Sequence, residues 1–99
     1  MKIWAKVIKN QKIQSDVVQV FSLARPCDIS GWAPILHDLC QSLDLARPVM
    51  LNKHLQELDH FNRTAFRPSD FMETVLFDRF EVELFPEENM NTMEFPFAY

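Results

Sequence analysis

The chain has 99 residues, 47% of them hydrophobic and 12% aromatic, with a formal net charge of −4. That length is one domain, and that hydrophobicity excludes a mostly disordered chain. The acidic balance speaks against nucleic acid, which selects a basic footprint, and no run approaches the ~18 apolar residues of a membrane helix.

The opening Met1-Lys2-Ile3-Trp4-Ala5-Lys6 has lysines where a signal peptide needs an apolar core, so the expected compartment is the cytoplasm. Residues 2–9 and 12–22 read as a β-hairpin, with Asn10-Gln11 as a primed two-residue turn. This loop sets Ile8 opposite Ile13 and Trp4 opposite Val17, so those four share one face. Ile3, Ala5, Val7, Val18 and Val20 share the other. A hairpin apolar on both sides is expected at the centre of a sheet.

Asp28 is the expected N-cap of a helix running to about Asp44. Ile29, Trp32, Ile35, Leu36, Leu39, Cys40 and Leu43 fall within an arc of about 140°. Gly31 and Pro34 place its first regular turn near Ala33. Cys27 and Cys40 lie at the two ends of this element. They have no CxxC spacing and are expected as ordinary thiols.

Arg47-Pro48 ends the helix, and residues 49–51 are expected as a short strand. Over residues 51–61, period two leaves neither face apolar. Helical period groups Leu51, Leu55, Leu58 and Phe61 within about 120°, so a second helix is expected. His54 falls in the same arc and is expected as a hydrogen-bonded imidazole at the edge of the core. Residues 63–67 read as a short strand, residues 68–70 as a turn, and residues 75–85 as a last strand. There, Phe80, Val82 and Leu84 alternate with Arg79, Glu81 and Glu83. In-phase Lys and Glu place this strand beside the first, with Glu81 and Glu83 near Lys2 and Lys6.

Residues 1–12 carry four lysines and no acid, whereas residues 68–99 carry eight acids against Arg79. Residues 1–85 read as the domain. Residues 86–99 read as an acidic and aromatic tail, with Met93, Phe95, Phe97 and Tyr99 at two-residue spacing. The expected architecture is α+β, a small mixed sheet with an N-terminal hairpin and one main packing helix. Its element order is similar to a β-grasp (ubiquitin-like) fold, a likeness that speaks to fold and not to function.

Gly31 is the only glycine, so Walker and Rossmann phosphate loops are absent and no cofactor is expected. His54 and His60 are six apart and do not chelate a metal from one helix face. The stretch His60-Phe-Asn-Arg-Thr-Ala-Phe-Arg-Pro-Ser-Asp-Phe-Met-Glu73, followed by Phe77–Glu83, resembles a family of small uncharacterised bacterial proteins. With the Trp4-Ala-Lys6 opening, the resemblance spans roughly residues 3–85 and implies no activity.

Two function classes follow. The first is a non-catalytic interaction or adaptor module with a protein partner, either itself as a homodimer or another chain. Its expected surface is Trp4, Ile8, Ile13 and Val17, with Phe95, Phe97 and Tyr99 of the tail. The alternative is a small enzyme or ligand-binding protein using His54, Asp59, His60 and Arg63.

Overall fold

The computed structural model describes residues 1–85, so the expected roles of Met93, Phe95, Phe97 and Tyr99 lie outside the described residues. The hairpin forms as β1 (Lys2–Lys9) and β2 (Lys12–Val20). Its turn is the primed one expected, with φ of 54° at Asn10 and 64° at Gln11. Gln11 lacks glycine's freedom there, and the turn is held from outside. The Asp78 carboxylate accepts the Asn10 N–H at 2.8 Å, and the Asp78 N–H donates to the Ile8 carbonyl at 2.8 Å.

The pairing departs from the expected register. Ile8 does face Ile13, but the ladder slips between Val7 and Ile8, and from there Val7 faces Ser15, Ala5 faces Val17 and Trp4 faces Val18. Gln14 is the extra residue of a bulge. A slip of one residue turns every later side chain to the opposite face. Val17 therefore joins Ala5 on the core side. Val18 and Val20, expected in the core, join Trp4 on the far side and are 48% and 74% exposed.

The helix α1 (Ile29–Ser42) starts a turn earlier than expected, because Asp28 caps it outright. The Asp28 carboxylate accepts the Gly31 N–H at 2.9 Å and the Ser30 hydroxyl at 3.0 Å. Pro34 sits inside the helix and removes one backbone bond. Gly31 is required by space, since a Cβ there would lie 2.7 Å from the Pro26 Cβ. The helix stops at Ser42 because Asp44 turns left-handed, with φ of 58°. The Leu45 N–H then bonds the Cys40 carbonyl at 2.8 Å and the Asp44 N–H bonds that of Gln41 at 3.2 Å, a Schellman ending.

Residues 49–51 form no strand. They bond to the rest of the chain through the Val49 N–H, which donates to the Asp70 carbonyl at 2.7 Å. The second helix, α2 (Asn52–Phe61), buries His54 and Leu58, with Leu55 half-buried. Leu51 and Phe61, expected on its apolar arc, are 46% and 69% exposed. The reason is position: α2 packs on β3 (Arg63–Phe66), one of the two edge strands of the sheet, where one buried side chain per turn fills the contact. Asn62 takes a left-handed φ of 60° and turns the chain straight into β3.

A single 3₁₀ turn over Pro68–Asp70 follows, and then a loop that buries Phe71 and Phe77 edge to face, with ring centroids 5.3 Å apart. The last strand, β4 (Arg79–Phe85), begins four residues later than the expected position 75. The strand order is β2-β1-β4-β3, and every pairing is antiparallel. A mixed sheet was expected. The loop after the 3₁₀ turn delivers β4 beside Ile8, at the hairpin-turn end of β1, so β4 runs against β1.

One core forms between this sheet and α1. Ile3, Ala5 and Val7 of β1, Phe80, Val82 and Leu84 of β4, and Phe66 of β3 meet Trp32, Ile35, Leu36, Leu39 and Cys40, with Leu58 from α2. No helix among the described residues is long and apolar enough to cross a membrane.

Candidate functional site

The helical packing lies on the core side, so period two sends the alternate residues of every strand to a face that no helix among the described residues covers. The registers arrange that face in rows across the sheet. Val20, Lys2 and Phe85 form one row; Val18, Trp4, Glu83 and Arg63 the next; Asp16, Lys6, Glu81 and Ala65 the third. Ile13, Ile8 and Arg79 close the end nearest the turn.

The middle of this face is braced by charge. The Trp4 indole N–H donates to Asp16 Oδ2 at 2.8 Å, and the Lys6 ammonium lies over the Trp4 ring, 3.9 Å from its centroid. Lys6 Nζ also reaches Glu83 at 3.2 Å and Glu81 at 3.4 Å, and Arg79 pairs with Glu81. The expected Lys6–glutamate pairing is therefore present. Lys2 takes a different place, 5.1 Å from the centroid of the Phe85 ring. Burial alone would raise Glu81; the Arg79 guanidinium and then Lys6 more than offset that and hold its carboxyl below the ordinary range.

The brace pins Trp4 in place. Around it, Ile13, Val18 and Val20 stand in water at 50%, 48% and 74% exposure. Two of the expected surface residues are not exposed there. Val17 is half-buried on the core side, and Ile8 is 5% exposed although on the open face. Val18 and Val20 take the place of Val17, and only the bulge at Gln14 reveals this. Beside the face, β2 is an edge strand that pairs with β1 alone among the described residues, and an edge strand's outer backbone groups are a template for another strand.

The residues of the alternative site differ in burial. His54 is fully buried and Asp59, His60 and Arg63 are exposed. Arg63 lines a polar groove with Glu57, Thr64, Ala65 and Glu81, without the other three. No group of three metal-ligating side chains occurs among the described residues. Cys27 is exposed and Cys40 buried, both as free thiols. Burial raises the Cys40 thiol to about 11, with Arg47 opposing, so it is a poor nucleophile at neutral pH.

A groove that no motif or periodicity in the sequence marks runs along α1. It has a volume of about 330 Å³ and is lined by Ile29, Ala33 and Leu36 on one side and by Arg47, Pro48, Val49, Met50 and Met72 on the other. Its far wall is a connector and a loop, which carry no periodicity. Compared with models of known protein families, with curated proteins and with solved structures, the chain matches none.

Proposed function

We propose that the protein is a non-catalytic interaction module of the bacterial cytoplasm, and that it binds a protein partner on the open face of its sheet and the free edge of β2. One observation supports this reading most: Trp4 is fixed by Lys6 and Asp16 beside the exposed Val18 and Val20 of an edge strand. A rigid aromatic anchor next to unpaired strand backbone is the equipment of strand addition, in which backbone bonds supply affinity and side-chain pockets supply choice. The partner is an extended segment from a second copy or from another chain. The β-grasp likeness belongs to this proposal too, as a succession of hairpin, packing helix and a later strand beside β1. The resemblance to small bacterial proteins adds no activity to it.

The second reading, a small enzyme or ligand-binding protein using His54, Asp59, His60 and Arg63, lacks a cavity common to the four in the grooves described above. A photo-crosslinking residue tests the first reading. Placed in the full chain at Val18, it should capture a protein adduct; placed at His37 on α1, it should not. Adduct mass separates a second copy from another partner. Equal capture from both positions, or none from Val18, rejects the open face as the binding surface.

A further inference from the structure

The connector between α1 and α2 is tied down by one buried histidine. His54 is 0% exposed, and its Nδ1 accepts the Leu51 N–H at 2.9 Å. A nitrogen that accepts carries no proton, so the ring is neutral with its hydrogen on Nε2. Nε2 faces Asp70 Oδ2 at 3.5 Å, too long for a good hydrogen bond, and has no other partner among the described residues. The ring lies against Phe66 of β3, centroids 4.3 Å apart. Asp70 is held in turn. Its carboxylate accepts the Arg67 N–H at 2.9 Å, and its carbonyl accepts the Val49 N–H at 2.7 Å. The connector, the first turn of α2, β3 and the 3₁₀ turn thus meet at two side chains. The same connector carries Arg47, Pro48, Val49 and Met50, the wall of the α1 groove.

We propose that His54 and Asp70 form a pH-sensitive latch, in which protonation of His54 releases Leu51 and, with it, the connector wall of the α1 groove. An imidazolium carries N–H on both nitrogens, so Nδ1–H would point at the Leu51 N–H, donor against donor. The ring is enclosed and packed on Phe66, so the conflict is relieved by moving the connector. Burial pushes the His54 pKa below its ordinary value, Asp70 opposes this most, Lys53 adds to the lowering and Glu57 opposes it. The sign follows. With the closed-state pKa depressed, the latch is at full strength above the open-state value of about 6.5 and weakens as pH falls below it.

The test is amide hydrogen exchange on the full chain from about pH 7.5 to about pH 5.5, a window that spans the ordinary histidine value. After correction for intrinsic exchange, opening at Leu51 and Val49 should climb toward tenfold per pH unit below about 6.5. At the upper end, ¹⁵N shifts should show Nδ1 bare and Nε2 protonated. His54→Gln should abolish the pH slope, because glutamine at this helix position accepts the same amide without titrating. Asp70→Asn keeps an acceptor for Arg67 and removes the charge that favours the imidazolium, so its opening should rise with falling pH at least as steeply as in wild type. A protonated Nδ1 near pH 7.5, a flat profile in wild type, or a slope that survives in His54→Gln overturns the latch. If His54→Gln fails to fold, Asp70→Asn decides, and a pH slope shallower than that of wild type overturns it.

Discussion

The two faces of the sheet are built by the same strands and have opposite contents. On the inner face, Ile3, Ala5, Phe80 and Val82 are all 0% exposed and meet α1. On the outer face, their immediate neighbours Lys2, Trp4, Lys6, Glu81 and Glu83 stay partly in water; Lys6 joins Trp4, Glu81 and Glu83, and Lys2 lies over Phe85. Apolar burial stabilises at about 25 cal/mol per Å², whereas each exposed ion pair contributes about 0–1 kcal/mol. The fold therefore rests on the inner face. The outer face is organised more than stability requires, and that is the argument for recognition there.

The contrast can be broken most severely from the inside. Leu39 is 0% exposed at the centre of α1, so Leu39→Ala should cost about 2–5 kcal/mol in urea unfolding. Gly31→Ala comes next. Its Cβ would lie 2.7 Å from the Pro26 Cβ and 3.2 Å from Asp28 Oδ1, and such overpacking costs about 1–3 kcal/mol, read as a lower urea midpoint. A gain in stability, as helix propensity alone predicts, would show that the Pro26 approach is not rigid.

The outer face should respond weakly. Glu81→Gln removes one acid from the Lys6 and Arg79 brace and should cost less than about 1 kcal/mol, less still in high salt. The pH dependence has a definite sign. With the folded-state pKa of Glu81 depressed, its contribution is present above the unfolded value, about 4.3, and lost as pH falls through the folded one. Wild type and Glu81→Gln should therefore converge in urea melts on acidification. A gap that stays constant would show that Glu81 acts through packing rather than charge.

The features legible in the sequence were local ones. Asn10-Gln11 as a primed turn, Asp28 as a cap, and Phe80, Val82 and Leu84 as the buried set of β4 each depend on a few adjacent residues. His54 was legible as a core-edge imidazole, but not its acceptor bond to Leu51 or its approach to Asp70, sixteen positions away. The bulge at Gln14 was not legible, because a ladder tolerates the extra residue only once both strands are paired. That one residue moved Val17 into the core and Val18 and Val20 out of it, and so changed the candidate surface. The strand direction of β4 was hidden for a related reason. It is set by where the 71–78 loop lands, through the Asp78 N–H on Ile8, and not by anything within β4.

Valine allows the two faces to be compared with one side chain. Val82 is 0% exposed on the inner face and Val20 is 74% exposed on the outer. Unfolding of Val82→Ala and Val20→Ala in urea, side by side, tests the division of labour directly. The inner substitution should lower stability by about 2 kcal/mol for the methyl groups and space it removes, and the outer one should stay within about 0.5 kcal/mol of wild type. Equal losses at the two positions would contradict the account, because they would make the open face part of what holds the fold together.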